Sequence, residues 1–357
     1  MKKMKVAIIG QGRSGRDIHG LFYKSEQNDF VEVKAVVDAN AQRRERALLE
    51  YLGCEVFESY EELFGKEYDL VVNASYSEYH YPITKALLMH GFNVLCEKPF
   101  ARTAYECNDL IRIAKKNGCV LSVFHQSNTA PFIQEVKKVI ESGKIGDVLQ
   151  ISLRYNGFSR RWDWQTLQYK VAGNLYNTGP HPVGIAVELL GDDIRVEYSK
   201  LGRALLSGDA EDYVKVILSS PKGVVVDIET NSTDAYCDYN LKIQGTRGTY
   251  KCTINDYKMK YIVDGENPEK EVCHEFICDE NGYPVYCKED LISHEEEGKF
   301  DGNPFDKGVE NLYRNLYGAI FEGKELLVKP SLAAKVIAIM QEVHGKNPLD
   351  VKYSSAN

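Results

Sequence analysis

Short apolar runs alternate with amphipathic helical patterns over the first 125 residues, and this alternation constrains the fold more than any other feature. Five runs rich in Val, Ile and Leu match strands that are buried on both faces. They lie at 5–9, 31–37, 70–74, 93–96 and 120–124. Between them, apolar residues recur at helical intervals over 41–52, 81–90 and 103–116. Repeated β–α units of this kind predict a parallel sheet covered by helices.

The pattern changes after residue 131. A helical pattern at 132–142 precedes strand patterns in which apolar and polar residues mostly alternate, at 148–155, 194–206, 213–219, 224–230 and 239–243. Such strands predict an antiparallel sheet with one face on helices and the other exposed or paired with another subunit. Helical patterns at 308–322 and 332–344 close the chain.

We therefore predict an α/β protein with two domains. The first, at 1–128, holds the parallel sheet. The second, at 129–357, holds a large, mostly antiparallel open sheet, and its helix at 332–344 packs back toward the first domain.

A glycine-rich loop, Gly10-Gln11-Gly12-Arg13-Ser14-Gly15, follows the first strand directly. In a Rossmann unit the first glycine permits a tight turn, the second lets the backbone approach a pyrophosphate, and the third allows close helix–strand packing. The second strand ends at Asp38, where a carboxylate can accept the ribose hydroxyls of NAD and would repel the 2′-phosphate of NADP. Arg43 and Arg44 close behind Asp38 leave the strictness of this preference open. The motif predicts a Rossmann domain that binds NAD through Gly10, Gly12, Arg13, Ser14, Gly15 and Asp38.

Acidic residues are concentrated in one segment. The formal net charge is −8, yet the stretch from Asp264 to Asp301 holds 13 Asp and Glu against 3 Lys, so the rest of the chain is close to neutral. No basic field remains for a phosphate backbone, which argues against nucleic acid as a partner. We expect the acidic segment to be a solvated excursion from a sheet edge, and the alternative is a lid over the active site.

The nine cysteines include no C-x-x-C pair, and their odd number disfavours a disulfide framework. Cys273, His274, Cys278 and Cys287 lie in the acidic segment at wider intervals than paired zinc ligands use, so we predict no metal site. No apolar run is long enough to span a bilayer, and the basic and apolar start of the chain leads into the glycine loop instead of a cleavage site. We therefore expect a cytoplasmic protein with reduced thiols and no membrane partner.

Several motifs in a fixed order resemble one known family. The residues GFNVLCEKP at 91–99 follow its Glu-Lys-Pro signature, and His19 follows the glycine loop as it does there. The segment 73–80 resembles the family's cofactor-contacting loop, and AGNLYNTGPH at 172–181 resembles its catalytic helix. On these motifs the chain resembles the Gfo/Idh/MocA family, named after glucose–fructose oxidoreductase and inositol dehydrogenase, over nearly its whole length.

This resemblance implies an oxidoreductase that transfers a hydride between NAD and a carbon of a sugar, sugar derivative or cyclitol. It implies that Lys98 lies beside the substrate hydroxyl and the nicotinamide, and that His181 exchanges the hydroxyl proton and contacts substrate. A base and a cationic partner for a developing alkoxide are what alcohol oxidation needs. It also implies a homodimer or homotetramer joined through the C-terminal sheet. Further implied contacts are Ser75, His80, Glu97 and Lys98 with the cofactor and Gln126 with the substrate.

The segment 158–166 contains both tryptophans of the chain, Trp162 and Trp164, beside Arg160 and Arg161. Aromatic faces with charged neighbours suit sugar rings and their hydroxyls or carboxylates, so we predict that these four residues contact substrate. The alternative is a packed aromatic loop or an interface loop, since interfaces also favour Trp and Arg.

Two positions depart from the family pattern. Asn177 and Gly184 stand where the family commonly has Asp, four residues before and three residues after His181. An amide orients a hydroxyl or an imidazole, but it cannot stabilise an imidazolium as a carboxylate does. We retain Asn177 as a catalytic and substrate-binding residue. The departures also leave two alternatives, an NAD-assisted glycosidase or lyase that oxidises a sugar transiently, and a non-catalytic sensor of sugar or dinucleotide.

Overall fold

The computed structural model describes residues 2–191 and 193–355. Its first sheet is formed by β1 (Met4–Ile9), β2 (Val31–Val37), β3 (Glu55–Phe57), β4 (Leu70–Asn73), β5 (Val94–Cys96) and β6 (Leu121–Val123). The strands are all parallel, in the order β3-β2-β1-β4-β5-β6. The strand order reverses direction between β1 and β4. A ligand crevice forms at such a point, outside the carboxyl ends of the strands.

Helices cover both faces of this sheet. They are α1 (Gly20–Lys24), which continues a π-helical turn at Gly15–His19, α2 (Ala41–Glu50), α3 (His80–Met89) and α4 (Ala104–Asn117). The sequence sets both ends of α4. The Thr103 hydroxyl accepts a hydrogen bond from the Glu106 N–H, and the Glu106 carboxylate accepts one from the Thr103 N–H. Gly118 ends the helix in the left-handed conformation, with φ of +66°.

The second sheet is formed by eight strands. They are β7 (Val148–Arg154), β8 (Arg195–Gly202), β9 (Tyr213–Ser219), β10 (Val225–Glu229), β11 (Leu241–Gly245), β12 (Gly248–Cys252), β13 (Asp256–Tyr261) and β16 (His294–Lys299). Their order is β16-β13-β12-β11-β7-β10-β9-β8, and the β7–β10 pair is parallel while the others are antiparallel. Along β9, Val214, Val216 and Leu218 are buried and alternate with more exposed residues, so one face packs on helices.

Two long helices at the end of the chain return to the first sheet. Besides α5 (Pro131–Ser142), α6 (Asn174–Asn177) and α7 (Pro180–Leu190), the second half forms α8 (Pro304–Glu322) and α9 (Pro330–Lys346). Buried side chains of α8, such as Leu312 and Leu316, join the apolar cluster of β1 and β2. Helix α9 packs on both α4 and α7. The domain limits at 1–128 and 129–357 stay a prediction.

The predicted fold class is confirmed, with a parallel sheet followed by a larger, mostly antiparallel one. In these two sheets, the sequence patterns missed four strands, β3, β12, β13 and β16. Strand β3 has only three residues, and β16 reads HEEEGK, so neither shows an apolar pattern. Strands β12 and β13 are rich in Lys and Tyr, and they form because their neighbours in the sheet pair with them.

Most of the acidic segment connects β13 to β16, two adjacent strands at the sheet edge, and contains the short hairpin β14 (Ile277–Cys278) and β15 (Pro284–Val285), while its last part forms β16 itself. Every residue from 268 to 292 is exposed, as expected of a solvated excursion. Within the described ranges, no helix combines the length and apolarity needed to cross a membrane.

Candidate active site

A cleft of about 550 Å³ opens at the carboxyl ends of β1, β2, β4 and β5. The glycine loop and Asp38 line one end of it, and Lys98 and Asn177 line the other. Trp164 and Gln165, from a 3₁₀ turn that follows β7 in the chain, form part of its wall. The cleft therefore lies between the first sheet and elements that belong to the second half of the chain.

The three glycines of the loop are required for two different reasons. Gly10 has φ of +91°, and a Cβ there would lie 2.4 Å from the Ala74 carbonyl oxygen. A Cβ at Gly15 would lie 1.8 Å from the Gly10 carbonyl oxygen. At Gly12, by contrast, the nearest atom is the Arg43 guanidinium at 3.9 Å. Packing of the protein itself fixes Gly10 and Gly15, whereas Gly12 leaves bare backbone facing the cleft, where a pyrophosphate can approach.

Backbone N–H groups hold the Asp38 carboxylate in place. Its Oδ2 accepts a hydrogen bond of 2.8 Å from the Gln11 N–H, and its Oδ1 accepts one of 2.9 Å from the Asn40 N–H. The Arg43 guanidinium lies 3.3 Å from Oδ2 and so pairs with this carboxylate. Oriented N–H groups, an open glycine and a fixed carboxylate form a site that fits the pyrophosphate and ribose of NAD.

Lys98 connects the two sides of the cleft. It follows β5, and its Nζ donates a hydrogen bond of 2.8 Å to the Asn177 carbonyl oxygen at the end of α6. Burial is the main cause that lowers the pKa of the Lys98 ammonium below its ordinary value; the charge of Glu97 opposes this shift, and those of Arg13 and Arg161 add to it. The amine is thus partly desolvated at the point where cofactor and substrate sites would meet.

His181 lies one helical turn beyond Asn177, near the start of α7. Its Nδ1 lies 2.6 Å from the Ser127 hydroxyl, and its ring stacks on that of Tyr155 with centroids 6.0 Å apart. Burial holds the pKa of the His181 imidazole well below its ordinary value, and charges on Lys98 and His125 act in the same direction. The imidazole is therefore neutral at neutral pH and is oriented by a hydroxyl.

The side chain of Asn177 takes part in a polar network with the segment 158–166. Its Oδ1 accepts a hydrogen bond of 3.1 Å from Gln165 Nε2. Arg161 bonds to the Gln165 side chain and lies 2.7 Å from Asp163. Trp164 stands edge-on to Tyr76, with ring centroids 4.9 Å apart. These contacts hold the segment beside the Lys98 end of the cleft.

Gly184 packs closely against two buried polar atoms. A Cβ there would lie 2.9 Å from His125 Nδ1 and 3.3 Å from Asn128 Oδ1, and neither atom has a hydrogen-bond partner among the described residues. The pKa of His125 is lowered to about 4, chiefly by burial. A side chain at position 184 would therefore crowd the His125 imidazole unless that ring shifted.

The structure brings most of the sequence-predicted site residues to one place. Those that line the cleft are Gly10, Gly12, Arg13, Ser14, Asp38, Ser75, His80, Glu97, Lys98, Arg161, Trp164 and Asn177. Gly15 lies beneath the loop, while His181 and the buried Gln126 lie outside the wall of the cleft. Arg160 and Trp162 are exposed, Trp162 by 78%, and no residue of 264–301 lines the cleft.

Three polar residues near the site were missed by the sequence analysis: Ser127, His125 and Gln165. Each lies within or next to a segment that the resemblance or the aromatic pattern marked. Their contacts with His181, Gly184 and Asn177 join residues distant in sequence, so no local spacing pointed to them.

Two family models match the chain. Residues 4–125 match the oxidoreductase family with an NAD-binding Rossmann fold, and residues 133–251 match the GFO/IDH/MocA C-terminal domain. The chain belongs to the Gfo/Idh/MocA oxidoreductase family. The resemblance seen in the sequence is thereby confirmed, as is the prediction of an NAD(P)-dependent oxidoreductase with a Rossmann domain that binds NAD.

Individual relatives are similar over much of the chain. An inositol 2-dehydrogenase/D-chiro-inositol 3-dehydrogenase of Lactiplantibacillus plantarum is 30% identical over 67% of each chain. A 2,7-anhydro-N-acetylneuraminate hydratase of Mediterraneibacter gnavus is 28% identical over 77% of this chain and 74% of its own. The crystal structure of an NAD-binding protein from Listeria innocua covers 97% of this chain and 98% of its own, with a TM-score of 0.79 at 19% identity, and shows the same fold.

The two loop glycines give a matched pair of substitutions. Gly12→Ala should weaken NAD binding about tenfold, because its methyl group would project toward the pyrophosphate, and should change the unfolding free energy by less than about 0.5 kcal/mol. Gly15→Ala should lower the unfolding free energy by about 1–3 kcal/mol, because the methyl group overlaps the Gly10 carbonyl. Urea unfolding and fluorescence titration with NAD measure both quantities. Equal effects of the two variants on unfolding would contradict this account.

Proposed function

We propose that the protein transfers a hydride between NAD and a hydroxyl-bearing carbon of a sugar, sugar derivative or cyclitol. The observation that carries this proposal is the position of Lys98. Its amine lies at the end of the dinucleotide cleft, 2.8 Å from the Asn177 carbonyl oxygen of the other half of the chain. The inositol dehydrogenase relative supports the substrate class.

Lys98 and His181 have separate roles at the substrate hydroxyl. The Lys98 ammonium stabilises the negative charge that develops on the oxygen as its proton leaves. His181 is neutral, so it has a lone pair with which to accept that proton, and the Ser127 contact fixes the orientation of its ring. The nicotinamide, when bound, supplies the acceptor for the hydride.

The remaining polar groups near Lys98 suit a polyhydroxylated ring. The Asn177 and Gln165 amides offer donors and acceptors, Arg161 adds a cation, and the half-buried Trp164 offers an aromatic surface. Gln126 is buried with its Oε1 unpartnered among the described residues, so it can accept a hydrogen bond from a hydroxyl. Arg160 and Trp162 would contact substrate only at the rim.

Loss of the Lys98 amine should abolish turnover but preserve cofactor binding. Lys98→Ala should lower kcat/KM by at least about 100-fold, because a charged donor to the alkoxide is lost. NAD affinity should stay within a few-fold, since the glycine loop and Asp38 are untouched. The measurement is NADH absorbance with NAD and a panel of aldoses, polyols, inositols and uronates. Lys137→Ala, which removes a lysine paired with Glu188, is the control. An active Lys98→Ala enzyme would overturn the assignment.

A carboxylate at position 177 should change the pH dependence. The His181 pKa is now well below its ordinary value, so the loss of activity at acid pH, where the imidazole becomes protonated, falls at low pH. Asn177→Asp places a negative charge one turn before His181, which favours imidazolium and should move this loss to higher pH by about one unit. The profile of kcat/KM against pH measures the shift. An unchanged profile, or a shift to lower pH, would show that His181 is not the group that titrates.

A second candidate is an NAD-assisted elimination or hydration with no net redox change. Two observations favour it: the hydratase relative, and the absence of a carboxylate at position 177. In that case aryl glycosides or anhydro sugars would be consumed without accumulation of NADH. Incubations with aryl glycosides and anhydro sugars, with products analysed by chromatography and NADH followed by absorbance, separate the two functions, because the first produces NADH in proportion to product.

We also propose that copies of the chain associate through the outer face of the eight-stranded sheet. Apolar side chains such as Tyr213 and Val225 remain partly exposed there. Light scattering should then give a mass of two or four chains of 40.4 kDa, and Val225→Glu should lower it. A monomeric mass for the unaltered protein would contradict the proposal.

A further inference from the structure

A continuous chain of buried polar contacts runs from helix α8 to the residue that precedes Lys98. The hydroxyls of Tyr23 and Tyr313 are hydrogen-bonded to each other. The Tyr313 hydroxyl also lies 2.7 Å from His19 Nδ1, and His19 Nε2 lies 3.2 Å from Glu97 Oε1. The other oxygen of Glu97 accepts a hydrogen bond of 3.0 Å from the Lys98 N–H. Three segments far apart in sequence, at 19–23, 97–98 and 313, are therefore connected to one carboxylate.

In this series of hydrogen bonds, the donor and the acceptor of each bond can be assigned from the groups that each residue contacts. If His19 donates through Nε2 to Glu97, then Nδ1 must accept from Tyr313, and Tyr313 accepts from Tyr23. Every donor then has an acceptor, and all of them point toward Glu97. In the opposite order Tyr23 would be the final donor, and its hydroxyl has no further acceptor among the described residues. The contacts therefore favour a chain of donors that ends on an ionised carboxylate.

Burial makes this arrangement necessary. Glu97 is 3% exposed and His19 is fully buried, and a buried carboxylate is costly unless donors satisfy it. Burial acts to raise the pKa of Glu97, but the His19 hydrogen bond and the charge of Lys98 act against it, and the pKa lies below its ordinary value. Glu97 therefore stays ionised inside the protein.

The charge of Glu97 acts on the active-site amine. It favours the ammonium form of Lys98, whereas burial and the charges of Arg13 and Arg161 oppose that form. The two nearby imidazoles, His125 and His181, are held neutral. The titratable and charged groups that face Lys98 or Glu97 are Arg13, His19, His80, His125, Arg161 and His181.

We propose that His19, Tyr313 and Tyr23 are positioning residues for the active site, which hold Glu97 ionised behind Lys98 and thereby keep the Lys98 amine protonated for catalysis. Helix α8, more than 200 residues away in sequence, thus controls the charge state of a residue that would contact substrate. The consequence for turnover rests on the proposed function, but the charge relation itself does not.

The direct test measures the titration of the Lys98 amine without any substrate. Competitive labelling with acetic anhydride at a series of pH values, followed by peptide mass spectrometry, gives the midpoint at which Lys98 loses its proton. Glu97→Gln should move this midpoint to lower pH by about 1–2 units, because the favourable negative charge is lost. Tyr313→Phe should move it in the same direction by a smaller amount, because His19 is no longer held as a donor to Glu97.

Helix α8 supplies a matched control in Tyr317, one turn beyond Tyr313. Its hydroxyl donates a hydrogen bond of 2.9 Å to the Lys2 carbonyl oxygen and takes no part in the chain to Glu97. Tyr317→Phe removes a comparable hydrogen bond from the same helix and should leave the midpoint unchanged. NAD titration and thermal melting confirm that each variant is folded.

Each possible result of these titrations either supports or overturns the proposal. An unchanged midpoint in Glu97→Gln would overturn the charge relation. Equal midpoints in Tyr313→Phe and Tyr317→Phe would show that Tyr313 only packs, and would overturn the role of the chain. The predicted shifts support the proposal even if no substrate is turned over, in which case the proposed function fails alone. With an active substrate, the pH dependence of kcat/KM should shift in the same order, most in Glu97→Gln, less in Tyr313→Phe and not in Tyr317→Phe.

Discussion

Two consecutive side chains at the end of β5 point in opposite directions, and much of this molecule depends on that arrangement. Glu97 faces inward to His19 and Tyr313, whereas Lys98 reaches across the cleft to the Asn177 carbonyl oxygen. The Glu97 carboxylate is hydrogen-bonded to His19 and to the Lys98 N–H, and the Lys98 side chain joins the two halves of the chain. A change in either contact would therefore affect both the stability of the fold and the geometry of the active site.

The return of α8 to the first sheet makes this possible. An apolar helix face covers β1 and β2, and the same helix brings one phenol to the inside of the cofactor-binding half. Packing and electrostatics are thus coupled, since the helix that covers the sheet also contributes the Tyr313 hydroxyl that contacts His19. Burial of a polar chain of this kind is favourable only when each member has a partner.

The groups around His181 keep its imidazole neutral. Asn177 and Gly184 carry no side-chain charge, and the Ser127 hydroxyl contacts the His181 ring. The environment favours neutral imidazoles at both His181 and His125, so the positive charge near this end of the cleft comes from Lys98, Arg13 and Arg161. In a site of this kind, one residue can accept a proton while another stabilises an alkoxide.

The sequence by itself determined the parallel sheet and the NAD loop, because these rest on local spacing: buried apolar runs, glycines at fixed intervals and a carboxylate at the end of β2. The family was indicated by the resemblance of ordered motifs, among them the Glu-Lys-Pro segment. It did not determine strands such as β16, which has no apolar pattern and forms by pairing with β13. Nor did it reveal Ser127 beside His181, or Tyr313 and His19 behind Glu97. Those contacts join residues 54, 294 and 78 positions apart, and they exist only once the sheets and helices have packed, so the tertiary structure alone decided them.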